Sequence, residues 1–211
     1  MRCLIFTGGV MFDEAWHKKQ IRTNDYLIAA DKGAEHLLTL GYVPDIVVGD
    51  LDSISDTAKE ELIVQGVRFE ISPREKNETD TELALIFALD LKPREIILFA
   101  ASGDRLDHLL ANVFLLAGYL NRGIPIYLQT PVETLWLTDK SATLTGSAGR
   151  LASLMAISPR VENLSLTGFY YSLQNATLYF GSSLGISNIL QGKEAKIEFS
   201  RGILLISQQI K

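Results

Sequence analysis

The sequence predicts an α/β domain with a mostly parallel sheet, followed by an all-β sandwich. Three observations carry that division. Across residues 1–130, short apolar runs alternate with helical stretches, the pattern of βαβ units. Runs such as Ile46-Val47-Val48 are continuously apolar, as strands buried on both faces are. Beyond Pro131 the helical pattern stops and short apolar or alternating stretches recur between Gly146, Gly149, Pro159, Gly168, Gly181, Gly185, Gly192 and Gly202. The boundary therefore falls near residues 129–132, giving domains 1–130 and 131–211.

Taken in order, Arg2 to Phe6 reads as a first strand, with Cys3 filling core and Thr7-Gly8-Gly9 turning the chain. That turn lacks the third glycine of a dinucleotide fingerprint and the Gly-Lys-Ser/Thr ending of a P-loop, so a plain turn is its simplest reading. Residues 10–24 are mixed and polar, with no assigned element and with His17 expected at the surface. Tyr26 to Ala30 is a second strand, and Asp31-Lys32-Gly33-Ala34 opens a helix, with Asp31 suited to its N-cap.

A third strand ends at Gly49 and is followed at once by Asp50-Leu51-Asp52-Ser53. Two carboxylates so close repel unless a cation or protons intervene, which suits magnesium and its oxygen ligands. A solvated loop, with Ser53 or Ser55 capping the helix from Asp56, explains the same residues.

Val67 to Ile71 is the next strand, and its loop runs through Lys76 into Thr79-Asp80-Thr81-Glu82. Thr79 and Glu82 have capping-box spacing, which leaves Asp80 and Lys76 free to hold a metal and the phosphate it carries. Glu95 to Ala100 leads into Gly103-Asp104-Arg105-Leu106-Asp107-His108 and a helix from Leu109 to Leu120. Asp31, Asp50 with Asp52, Lys76 with Asp80, and Arg105 with Asp107 thus follow four strands whose ends share one sheet edge. Capping alone does not require acids and bases from separate segments to meet there.

Composition narrows the function classes. Lys and Arg total 20 against 25 Asp and Glu, a net charge of −5 that argues against a general nucleic-acid binder. The single cysteine excludes an internal disulfide or a cysteine zinc cluster and favours a cytoplasmic home. The apolar run Met1 to Phe6 is too short for a signal-peptide core, and no run approaches a membrane span.

The sequence resembles the thiamine pyrophosphokinase (thiamine diphosphokinase) family over nearly its whole length. The resemblance rests on Asp31 to Ala34, Pro44-Asp45 leading into Val48 to Ser53, Lys76 to Glu82, Gly103 to His108 with Ala111-Asn112, Gly168 to Leu173, and Gly185-Ile186-Ser187-Asn188. It implies transfer of the pyrophosphoryl group of ATP to the thiamine hydroxyl, giving thiamine diphosphate and AMP. It also implies a homodimer with thiamine between subunits, bound through the C-terminal sandwich.

Residue by residue, Asp50, Asp52 and Asp80, with Asp31 nearby, match magnesium ligands. Lys76, Thr79, Gly103, Arg105 and His108 match the ATP-phosphate side, and Ser187 and Asn188 the thiamine side. Asp80 and Asp107 are candidate proton acceptors. Three departures stand out: Asp104 where Gly-Gly-Arg is familiar, Asn77 where an acid often follows the lysine, and no tryptophan in Ile203 to Ile206 to pack on thiamine.

Rival readings are a pyrophosphokinase for a pterin alcohol, an Asp-x-Asp phosphohydrolase and a non-catalytic nucleotide or thiamine sensor. The Gly185 to Asn188 segment favours thiamine, and the hydrolase lacks its expected Thr and a first-strand Asp.

Overall fold

The computed structural model describes residues 1–103 and 105–210. The chain divides into two compact units, one of Met1–Leu115 with Asn121–Pro131, the other of Leu116–Leu120 with the chain from Val132 on.

The first unit is built on six parallel strands: β1 (Cys3–Phe6), β2 (Tyr26–Ala30), β3 (Ile46–Gly49), β4 (Arg68–Ile71), β5 (Ile96–Phe99) and β6 (Ile126–Gln129). Their spatial order is β6-β5-β1-β2-β3-β4. Helices α1 (Glu14–Gln20), α2 (Gly33–Thr39), α3 (Asp56–Val64), α4 (Asp80–Asp90) and α5 (Leu106–Gly118) punctuate the strands. Because β1, β3 and β5 are buried at every position, alternate residues feed opposite faces. Leu4, Phe6, Leu27, Ala29, Val47 and Phe99 pack with Ala34, Leu37, Ala58 and Leu62 of α2 and α3. Helix α4 packs across β1, β2 and β3. The strand order reverses at β1, with β2 on one side and β5 on the other, so the crevice at their carboxyl ends is the topological switch point of the sheet.

Residues 10–24 correct the sequence expectation, because they contain α1. Asp13 caps it by accepting from the Trp16 amide at 2.8 Å, and Trp16 and His17 turn inward. His17 is buried, not at the surface. Its ring lies edge-on to Trp16 and Phe99, and its Nδ1 donates to the Asp13 carbonyl at 2.6 Å. The ring is thus an aromatic core member with its polar edge satisfied, and burial lowers its pKa.

The second unit holds two antiparallel sheets. One is β12 (Asn188–Ile189), β9 (Leu151–Ala156), β14 (Leu204–Gln209) and β7 (Glu133–Thr138); the other is β11 (Leu173–Tyr179), β10 (Arg160–Thr167), β13 (Glu194–Glu198) and β8 (Ala142–Thr145). Alternating residues of both, among them Leu154, Leu204 and Ile206 with Leu164, Leu178 and Ile197, form one apolar core. The α/β and sandwich expectations describe these units.

Candidate active site

The loops at the carboxyl ends of the parallel strands surround a cleft of about 660 Å³. Gly49 decides how closely its acids approach. It closes β3 with φ +146°, and a Cβ there would lie 3.0 Å from Asp80 Oδ1 and 3.2 Å from Asp31 Cβ. With hydrogen in that place, acids from β2, β3 and α4 converge. Asp31, Asp50 and Asp80 each offer an oxygen within 4.8 Å of the others.

Asp31 does not cap α2, whose N-cap position is Lys32. It is held at φ +47° with its amide donating to the Val48 carbonyl at 2.9 Å, and it is buried where Asp50 and Asp80 are half-buried. One carboxylate oxygen accepts the Ser53 hydroxyl, while the other, Oδ1, is buried without a hydrogen-bond partner. Burial pushes the Asp31 pKa up, the Ser53 bond pulls it down, and the charges of Asp80, Asp52 and Asp50 add to the rise.

Lys76 answers Asp80. Its Nζ donates to Asp80 Oδ1 at 2.6 Å and to Ser72 Oγ at 2.7 Å. Thr79 caps α4, accepting from the Glu82 amide at 3.2 Å, and so sets Asp80 in the first helical turn. Asp52 stands apart from the three-acid group: its amide donates to Asp50 Oδ1 at 3.1 Å, and its carboxylate meets Arg74 at 3.3 Å. Leu51, at φ +62°, makes the turn between them.

The switch-point side of the cleft is backbone. A Cβ on Gly9 would lie 2.2 Å from the Ala100 carbonyl oxygen and 2.4 Å from that of Ser102, so only glycine lets these two loops touch. Ala100 itself is at φ +52°, a conformation costly for alanine. The Thr7 hydroxyl donates to its carbonyl at 2.6 Å, and the Asn112 amide donates to the Ala101 carbonyl at 2.9 Å. Gly103, Arg105 and His108 line this side. Arg105 pairs with Asp107 at 2.6 Å with both side chains exposed. The Arg105 hydrogen bond holds the Asp107 carboxyl below its usual range. Asp104 lies outside the described residues.

Ser187 and Asn188 belong to the second unit. The Asn188 side chain is buried and bound to backbone: Oδ1 accepts from the Tyr171 amide at 3.0 Å and Nδ2 donates to the Tyr171 carbonyl at 2.8 Å. Ser187, at φ +55°, donates its amide to Ser153 Oγ at 3.0 Å. The turn so pinned exposes Tyr170 and Tyr171, whose rings meet edge-on at 4.9 Å.

Sequence reasoning named Asp31, Asp50, Asp80 and Lys76, and the fold brings them together. It missed Ser53, Ser72 and Arg74 as partners of those acids and that lysine, and it missed Gly49 as the space between them. A glycine directly before an acid at a strand end was the available signal for the last.

An all-oxygen donor set with one buried, unanswered oxygen fits a hard divalent cation such as magnesium. Fold and site together define a two-unit chain of the α/β enzyme class, with a carboxylate-and-lysine cleft at the strand ends of the first unit and a β-sandwich as the second.

Comparison with known proteins narrows this further. Residues 17–128 match the family model described as thiamin pyrophosphokinase, catalytic domain, and residues 141–204 match thiamin pyrophosphokinase, vitamin B1 binding domain. A thiamine pyrophosphokinase of Bacillus subtilis (strain 168) is 32% identical over 182 residues, 85% of each chain. The crystal structure of thiamine pyrophosphokinase from Bacillus subtilis superposes with a TM-score of 0.90 at 28% identity, covering 100% of both chains. That of thiamin pyrophosphokinase from Geobacillus thermodenitrificans gives 0.88 at 30% identity, covering 100% of this chain and 98% of the other. The chain belongs to the thiamine pyrophosphokinase family.

Proposed function

We propose that this chain transfers the pyrophosphoryl group of ATP to the hydroxyethyl oxygen of thiamine in a magnesium-dependent reaction, forming thiamine diphosphate and AMP. The observation that carries the reading is the buried, unpartnered Asp31 oxygen among three carboxylates, with a lysine paired to one of them and lining the same cleft. Asp31, Asp50 and Asp80 would hold the cation, with Asp52 close by. When bound, it neutralises charge on the phosphate oxygens and helps align them.

The chain's own groups supply the rest. The thiamine oxygen attacks the β-phosphorus as the bond to the oxygen bridging to the α-phosphate breaks, and that electron pair leaves with AMP. Lys76 and Arg105, both lining the cleft, stabilise the negative charge that shifts onto these oxygens. Gly9 and Gly103 also line the cleft and place no side chain in it. Arg105 is paired with Asp107 and Lys76 with Asp80, so either carboxylate is released to accept the hydroxyl proton when its partner turns to the phosphates. Tyr170 and Tyr171 offer the thiamine rings an apolar surface in place of the missing tryptophan. The match to a vitamin B1 binding domain favours thiamine over a pterin alcohol. Exposed Tyr179, Phe180, Leu184 and Ile186 suit burial in a homodimer, and the single buried thiol suits the cytoplasm. Among the described residues no helix is long and apolar enough to cross a membrane.

The test is ³¹P NMR of the protein with Mg²⁺ and ATP, with and without thiamine. Thiamine-dependent AMP and a new diphosphate ester are expected. ADP or free phosphate would overturn the reading in favour of a kinase or hydrolase.

A further inference from the structure

The loop from Ser72 to Thr79, between β4 and the N-cap of α4, carries two cations two residues apart: Lys76 sits on Asp80 of the cleft, and Arg74 on Asp52, two residues beyond the cleft's Asp50. Lys76 holds Asp80 in a short, half-sheltered contact, with side chains 12% and 27% exposed. Arg74 holds Asp52 at 3.3 Å through a single Nη2 contact, with side chains 74% and 43% exposed. Arg74 also lines the cleft, although the sequence alone gives it no role. An exposed single-contact pair is worth only about 0–1 kcal/mol, so it exchanges readily. A guanidinium gains more from a polyphosphate, which it can grip with two parallel N–H donors.

We propose that Arg74 is a polyphosphate-binding residue that serves as the counter-cation of Asp52 while the cleft is empty, so that it opposes the divalent cation and favours the triphosphate. The inference rests on the metal-and-ATP reading above. Asp31, Asp50, Asp52 and Asp80 together carry four negative charges when ionised, and Lys76 and Arg74 cancel two. When a triphosphate arrives, Arg74 turns from Asp52 to the phosphate oxygens. The released Asp52 carboxylate, already tied through its amide to Asp50, is then free to face the cation.

Arg74 therefore has opposite effects on the two ligands, a signature that mere structural support would not give. Calorimetric titration of the full chain with Mg²⁺ alone, and then with ATP or AMP at saturating Mg²⁺, reads both. Arg74→Ala is expected to bind Mg²⁺ about 2- to 5-fold more tightly, the release of a weak competing pair. It should bind ATP about 5- to 20-fold more weakly, the loss of one charge-assisted contact at an exposed position. AMP binding should change less than about 2-fold, the scatter expected where no contact is lost. In an Asp52→Asn background the Mg²⁺ gain should vanish, and Arg74→Lys should recover part of the ATP affinity. Unchanged affinities, or a loss for both ligands, would overturn the role of Arg74 while leaving the proposed function standing if the wild type binds both. A wild type that binds neither Mg²⁺ nor ATP would overturn both.

Discussion

The two edges of the parallel sheet use the same kinds of residue in opposite ways. At the amino edge Arg2 is buried, and its guanidinium donates to Asp25 at 2.8 and 2.5 Å and to the Gln20 carbonyl at 2.8 Å. Asp25 also accepts the Arg22 amide at 2.8 Å, and nearby Asp45 accepts the Leu27 amide at 2.7 Å. The hydrogen bond to Asp25 keeps the Arg2 guanidinium more firmly protonated than usual. At the carboxyl edge Asp31 is as deeply buried, yet one of its oxygens meets no donor, and the charges of Asp80, Asp52 and Asp50 that act on it have its own sign. A buried charge answered by protein holds a fold together. One left unanswered among like charges marks a place for a ligand.

That contrast breaks if charge removal has the same consequence at both edges. The largest effect is expected at the carboxyl edge, where Asp50→Asn should lower turnover at least ~1,000-fold, about 4 kcal/mol of transition-state stabilisation, while leaving the melting temperature near the wild-type value. Steady-state AMP release beside a thermal melt measures both. At the amino edge Arg2→Ala leaves Asp25 buried without its partner and should cost about 3–5 kcal/mol in urea unfolding, with the folded fraction keeping its turnover. Gly49→Ala sharpens the comparison: its Cβ would press on Asp80 in a backbone region unsuited to side chains. A loss of about 1–3 kcal/mol is expected, together with weaker Mg²⁺ binding by calorimetry.

The smallest effect is a pH dependence. Asp31 has its pKa raised in the fold, so the stability it contributes is full below the unfolded value of about 3.9 and is lost as pH rises through the folded one. In chelator, the melting temperature of the wild type relative to Asp31→Asn should therefore fall across that window. Saturating Mg²⁺ should flatten the difference, because the cation replaces the proton.

Much of this site could be read from one dimension because parallel strands deliver their carboxyl ends to one edge, so Asp31, Asp50, and Asp80 with Lys76 fall on the same edge once the three strands before them are recognised. Ser55 and Thr79 were legible as caps through their local spacing. The separation of Asp52 from the other acids was not, since it depends on the left-handed turn at Leu51 and on Arg74, 22 residues away. The bond from Ser53 to Asp31 also spans 22 residues and leaves no periodic trace. Helix α1 was hidden because its charged residues outnumber the two side chains it buries, although Asp13 three residues before Trp16 was a usable capping signal. Asn188 was noticed by resemblance, but its backbone bonds to Tyr171 appear only when two turns of the sandwich meet.

The central claim is that the unanswered carboxylate edge binds a divalent cation and the answered edge does not contribute. Titration with Mn²⁺, followed by electron paramagnetic resonance of the free ion, tests it in the wild type, Asp31→Asn and Asp25→Asn. The expected result is one site in the wild type, at least ~10-fold weaker binding in Asp31→Asn with the fold intact, and wild-type binding by whatever fraction of Asp25→Asn remains folded. Equal Mn²⁺ affinity in the wild type and Asp31→Asn would contradict the account.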